Sequence, residues 1–203
     1  MKLVTDNIYH IYNQGNNRQN IFFDRDDYLL FLKKYRELVA GNCETLGYCL
    51  MPNHFHFLVY TNNKSILEKK LGVISIQQLS DGFRRLLSIY AHEMNQKNGA
   101  VGSLFRQKTK AKLVEGAPNN SVLSYAELCF FYIHQNPVTS GLVESSTDWE
   151  FSSAQDYSGL RNGTLCNREL TFQLFGWEKD DLTFINRQQI ISSEEKEMFF
   201  EGK

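Results

Sequence analysis

Cysteine is sparse and scattered. Cys43, Cys49, Cys129 and Cys166 are the four among 203 residues, and no two form a C-x-x-C pair. That spacing argues against a cysteine zinc site and against a disulfide framework, and favours buried free thiols. No uninterrupted apolar run reaches the length needed to span a bilayer. The opening residues, MKLVTDNIYHIYNQG, lack the apolar block and small-residue cleavage site of a secretory signal, so a cytoplasmic protein with no membrane partner is expected. Internal repeats and low-complexity segments are absent. What is present is ordinary globular material: 42% hydrophobic and 13% aromatic residues, enough for one domain or one domain with an appendage.

A net charge of −1 conceals an asymmetry. Residues 1–140 hold 16 Lys and Arg against 11 Asp and Glu, a balance of +5, whereas residues 141–203 hold 6 against 12, a balance of −6. A moderately basic body with an acidic tail points to nucleic-acid binding by the body, although a chance surface composition would look the same.

Along the chain, NIYHIYNQG alternates and reads as a first strand ending near Gly15. DRDDYLLFLKKYRELV spaces Tyr28, Phe31, Leu32, Tyr35 and Leu38 at helical intervals behind acidic first-turn residues. CETLGYCLM and HFHFLVY read as strands separated by Pro52-Asn53. A helical pattern runs from Ile66 to about Asn95, and LFRQKTKAKLVE reads as a further strand. GAPNNS is a loop. Ser124-x-x-Glu127 resembles a capping box before the apolar run LCFFYIH, and Pro137 predicts that this helix stops around Asn136. The order β-α-β-β-α-β-α predicts an α+β fold, a ferredoxin-like or RRM-like antiparallel sheet with helices packed on one face.

Strand alternation puts His54, His56 and Leu58 on one side of HFHFLVY and Phe55, Phe57 and Val59 on the other. The two imidazoles then project together, with Cβ atoms about 7 Å apart. Two neutral imidazoles at that spacing can share a divalent ion, although two half-exposed histidines without a role would fit the same pattern. An ion held by only two histidines keeps positions open for water or a substrate oxygen, the arrangement of a Lewis acid. In SYAELCFFYIHQNP, helical spacing places Tyr125, Leu128, Tyr132, Gln135 and Asn136 on roughly one face, so a phenol and a carboxamide could enter one site; packing and helix termination are the plainer roles of these residue types. Arg106, Lys108, Lys110 and Lys112 recur at every second position, a period that can track phosphates on one strand face or simply protect an edge strand. Arg84 and Arg85 on the long helix and Arg18 in the loop after the first strand are further cations that DNA could use.

Taken together, YHIYNQGNNRQNIFF, GYCLMPNHFHFLV and YIHQNPVTSGLV resemble the IS200/IS605-like transposases, and among them the REP-associated tyrosine transposases. The resemblance covers about residues 5 to 157, including DWEFSSAQDY. It implies an IS200-like domain over residues 1–158; the acidic segment 159–203 departs from the resemblance and is expected to pack on that domain as a tail. It also implies a single-strand DNA nuclease and strand transferase with paired histidine ligands around a hydrophobic residue. His54 and His56 fall on those metal ligands, Tyr132 on the nucleophile, and Asn136 on the third ligand, with Gln135 the alternative. Mg²⁺ or Mn²⁺ is the implied cofactor, single-stranded or hairpin DNA the implied partner, and the protein is expected to be a monomer or a homodimer. His134 and Lys110 both stand as groups that could activate the phenol. A non-catalytic nucleic-acid-binding domain and a zinc- or nickel-holding site are the competing readings.

Overall fold

The computed structural model describes residues 1–115 and 123–178. The loop GAPNNS and the acidic run SSEEKE lie outside these residues, as does most of WEKDD.

Four strands form the central antiparallel sheet: β1 (Ile8–Gln14), β2 (Glu44–Met51), β3 (His54–Tyr60) and β6 (Lys110–Leu113), in the order β2-β3-β1-β6. β4 (Glu68–Leu71) and β5 (Ile74–Gln77) make a separate hairpin. Helices α1 (Arg25–Leu38) and α3 (Gln78–Asn98) supply the two crossovers of a ferredoxin-like sheet, and the short α2 (Asn63–Ile66) precedes the hairpin. The α+β class and the split β-α-β arrangement are those expected. α1 and α3 share one face of the sheet. The additional helix α4 (Tyr125–Thr139) lies over the other, followed by α5 (Ala154–Tyr157) and α6 (Arg168–Phe175).

Alternation along the strands feeds two cores. Tyr9, Ile11, Tyr48, Leu50, Phe55, Phe57 and Val59 pack toward α1 and α3 with Phe31, Tyr35, Phe83 and Tyr90. Leu46, Cys49, Met51 and Leu58 pack toward α4 with Cys129, Phe130 and Ile133. A β-bulge between Thr45 and Gly47 keeps β2 in phase with both cores. All four cysteines are buried free thiols. Residues 151–153 cover the outer edge of β2: Leu50 N donates to Phe151 O at 2.9 Å and Ser153 N to Tyr48 O at 3.0 Å, so this edge strand offers no ladder to a neighbour.

Three elements depart from the sequence reading. The helical pattern from Ile66 breaks into the β4–β5 hairpin, because Gly72 takes a left-handed φ of 62° and the alternating Ile74-Ser75-Ile76 pairs back; α3 begins only at Gln78. LFRQKTKAKLVE is a strand only over Lys110–Leu113. Phe105 bridges Gly15 and Lys110 pairs with Tyr12, which leaves two residues too many between these points for a continuous ladder. Arg106 and Lys108 therefore sit in an irregular segment, which the Asn13 side chain holds by donating to Arg106 O at 3.2 Å and Thr109 Oγ1 at 3.1 Å. α4 continues through Pro137 to Thr139. Pro137 removes only the donor to Ile133 O; on either side the Asn136 side chain donates to Tyr132 O at 2.9 Å and Ser140 N to Asn136 O at 2.9 Å, and the helix runs on.

The packing of α3 on α1 depends on a close approach at Gly82, where an added Cβ would lie 2.5 Å from Leu38 O. Helix propensity alone would make Gly82→Ala stabilising by about 1 kcal/mol. The clash is with backbone, which cannot rotate away, so the expected outcome is a net loss of about 2 kcal/mol in denaturant unfolding. A neutral or stabilised variant would show that the helices separate at no cost.

Candidate functional site

The face of the sheet under α4 holds an unusual polar cluster. β1 and β3 pair with Tyr12 opposite His56 and Gln14 opposite His54, so four polar or aromatic side chains stand side by side. His10, one step along β1, completes the group: its Nε2 lies 2.8 Å from His56 Nδ1, and both residues are fully buried. The His54 and His56 rings are 4.9 Å apart and nearly perpendicular. α4 lowers Tyr132 onto this group, its ring edge-on to His56 at 5.6 Å and to His10 at 6.2 Å. One turn later on the same helix stands Asn136, whose carboxamide acts on the titration of both His54 and Tyr132 and whose Nδ2 donates to the Tyr132 carbonyl at 2.9 Å. The Ser124–Glu127 capping box sets the start of α4, and hence the phase that points Tyr132 at the sheet.

Burial sets the charge state of the site. It pushes His10 down to about 3 and His54 to about 4, and holds His56 well below the ordinary imidazole range. These rings are therefore neutral at pH 7. Burial also raises the Tyr132 phenol, so at rest it carries its proton. His54 Nδ1 is 2.6 Å from Asn53 Oδ1, an acceptor; the ring hydrogen sits on Nδ1 and the lone pair on Nε2, the tautomer a metal ligand requires. Asn136 spends its Nδ2 on Tyr132 O, leaving Oδ1 as an oxygen donor. Among the described residues no three His, Cys, Asp or Glu side chains gather as a ligand set. Two neutral imidazoles and one amide oxygen are donor types that could hold a divalent cation and leave its other positions open to water or phosphate oxygens.

The structure thus brings His54, His56, Tyr132 and Asn136 together, and adds three residues that sequence reasoning missed: His10, Tyr12 and Gln14. Their alternation in YHIYNQ was visible, but only the β1–β3 register shows which strand they accompany. Gln14 is buried and its Oε1 has no hydrogen-bond partner. His134 is placed elsewhere. Its Nδ1 donates to Phe130 O at 2.7 Å, so its Nε2 accepts from Ser153 Oγ, also at 2.7 Å. It pins α4 to residue 153 and does not face the phenol.

The cations divide between two faces. Lys110 pairs with Tyr12 and Lys112 with His10, on the side of the imidazoles. Arg18 is exposed in the loop after β1, and its carbonyl accepts from Asn53 Nδ2 at 3.4 Å, next to the residue that holds His54. Arg84, Arg106 and Lys108 line a cleft of about 760 Å³ floored by Phe83, Leu87 and Phe105 on the α3 side of the sheet. Arg84 is also paired with Asp81 at 2.7 Å. Arg85 is exposed on α3, across the sheet from the imidazoles.

No protein-family model matches the sequence, and no curated protein matches it either. Among solved structures, a REP-associated tyrosine transposase bound to a REP hairpin superposes with a TM-score of 0.51 at 16% identity, over 74% of this chain and 78% of that one. At this identity the likeness is one of fold. No helix of the described residues is long and apolar enough to cross a membrane.

Buried neutral histidines make the fold acid-sensitive. Unfolded histidine takes a proton near 6.5, whereas the folded protein refuses one at His10 until about 3 and at His134 until about 4. Stability is therefore fully present above 6.5 and falls as the pH drops toward those values, by about 1.4 kcal/mol per pH unit for each such ring. Thermal melts in chelator should show a steep fall in Tm from pH 7 to pH 5. A flat Tm over that range would mean the rings are not held neutral.

Proposed function

We propose that the chain is a metal-dependent single-stranded DNA nuclease and strand transferase, transposase-like, that forms a 5′-phosphotyrosine intermediate through Tyr132 at hairpin-flanked sites. The observation that carries this reading is the seating of one helix-borne phenol edge-on to His56 at 5.6 Å, with the His54 ring 4.9 Å from that of His56 and Asn136 one turn along the same helix. The likeness of fold to a transposase bound to a hairpin supports it. Residues 1–158 would carry the activity. In the described part of the 159–203 segment, Trp177 Nε1 donates to Glu127 Oε1 at 2.9 Å and Phe175 packs beside it, which supports α4 from behind.

A divalent cation, Mg²⁺ or Mn²⁺, held by His54, His56 and Asn136 would supply positive charge beside the scissile phosphate. Tyr132 attacks phosphorus: the P–Oη bond forms as the P–O3′ bond breaks, the phenol loses its proton, and the departing strand ends as a 3′-hydroxyl. A second 3′-hydroxyl then attacks the same phosphorus, breaks the P–Oη bond and returns the phenol, so no ATP is consumed. Because burial holds Tyr132 protonated at rest, the positive field of the occupied site, together with Lys110 and Lys112 on the same face, would favour release of that proton on substrate binding. Arg18 flanks the His54 end of this face. Arg84, Arg85, Arg106 and Lys108 would serve DNA on the α3 side, where the cleft offers both cations and apolar floor to an unpaired strand.

The test is covalent trapping on single-stranded hairpin oligonucleotides with Mn²⁺. Wild-type protein should give an adduct that survives denaturation. Tyr132→Phe should give none while still binding the DNA, and His54→Ala or His56→Ala should slow adduct formation on the order of a hundredfold. DNA binding with no adduct from any hairpin would move the chain to the class of non-catalytic nucleic-acid-binding domains.

A further inference from the structure

The contact between His10 and His56 contains a constraint that reaches beyond the ligand set. Both rings are fully buried, and the two facing nitrogens, His10 Nε2 and His56 Nδ1, are 2.8 Å apart. Neutral imidazoles in such contact share one hydrogen between these two atoms. Two arrangements are possible. If His10 donates, His56 carries its own hydrogen on Nε2 and has no lone pair there for a cation. If His56 donates from Nδ1, its Nε2 carries a lone pair that a cation could use, and the hydrogen of His10 moves to Nδ1. His10 Nδ1 is buried and meets no hydrogen-bond partner.

We propose that His10 is a positioning residue that switches His56 into its cation-binding tautomer by accepting the Nδ1 hydrogen at Nε2. The inference rests on the metal reading above. His54 has a fixed acceptor in Asn53 Oδ1 and so is held in one tautomer. His56 has a partner that can donate or accept, so its readiness is set by the neighbour on β1. No ring changes its charge; only the placement of hydrogens differs. The His10 and His56 rings lie side by side, 5.0 Å apart and tilted by only 23°, as an in-plane N–H···N bond requires, and His10 stacks on Tyr12 at 4.6 Å, which fixes that plane. The register of β1 against β3 holds both rings at this distance, so the arrangement is part of the sheet and not of a mobile loop.

The experiment combines Mn²⁺ affinity with the nitrogen chemical shifts of His56. His10→Phe keeps a flat ring and removes the acceptor. His10→Gln keeps an acceptor near the position of Nε2. His10→Phe should weaken Mn²⁺ binding, followed by electron paramagnetic resonance, by about 10- to 100-fold, the usual effect of losing a partner behind a metal-bound imidazole, and His10→Gln should restore most of it. In the Mg²⁺-loaded wild type, long-range proton–nitrogen spectra should show the His56 hydrogen on Nδ1. Equal Mn²⁺ affinity in His10→Phe and wild type would overturn the proposal, and so would a hydrogen on His56 Nε2 in the Mg²⁺-loaded protein. If His10→Phe fails to fold, the comparison of His10→Gln with wild type and the wild-type spectra still decide the matter. Failure of the metal reading itself is a separate result: wild-type protein would then bind no Mn²⁺ at all.

Discussion

The physical constraint on which this molecule depends is the two-sided duty of β3. It lies between β1 and β2, hydrogen-bonded to both, and each of its two faces is covered by helices. Phe55, Phe57 and Val59 anchor the α1–α3 core on one face; His54, His56 and Leu58 meet α4 on the other. A slip of one residue would bury imidazoles among phenylalanines and turn phenylalanines toward Tyr132, destroying core and site together. The aromatic packing on the first face, such as Tyr35 stacked on Phe57 at 3.9 Å, therefore also fixes the aim of the histidines on the second.

The helix on the second face is placed by contacts remote from the polar cluster. α4 passes Gly47, where a side chain would press on Phe130, Ile133 and His134 at 3.3 to 3.4 Å. His134 ties the helix to Ser153, which is itself bonded to β2 at Tyr48. Trp177 braces it from outside. These contacts hold Tyr132 against the imidazoles without spending the polar atoms of the site. The buried histidine in HQNP is thus a structural pin, and the phenol two residues before it faces the opposite way because successive helical side chains diverge.

The electrostatic character of the cluster follows from burial. Its imidazoles are neutral, its phenol is protonated and its amide carries no charge, while Lys110 and Lys112 stand at the rim. A donor set without a carboxylate gives a divalent cation little charge compensation, so the phosphates of a nucleic acid would complete the balance. Cations on the far side, around the cleft beside α3, extend positive potential away from this face.

Much of this was readable from local pattern. Strand patterns gave β1, β2 and β3 nearly to the residue, and alternation gave the common face of His54 and His56; Ser124 and Glu127 marked the start of α4; helical spacing put Tyr132 and Asn136 on one side. The readings that went astray each needed a neighbour. Gln78 begins α3 because the hairpin before it pairs, Arg106 and Lys108 leave the strand because Asn13 holds their segment out of register, and α4 passes Pro137 because the helical bonds beyond it, Ser140 N to Asn136 O among them, are made despite the one donor the proline removes. By itself the sequence determined which residues share a face, since that depends only on backbone geometry along a few residues. Only the tertiary structure decided that His10 meets His56, that Tyr132 lies over both and that His134 does not, because strand register and the face a helix covers are settled by contacts between residues tens of positions apart.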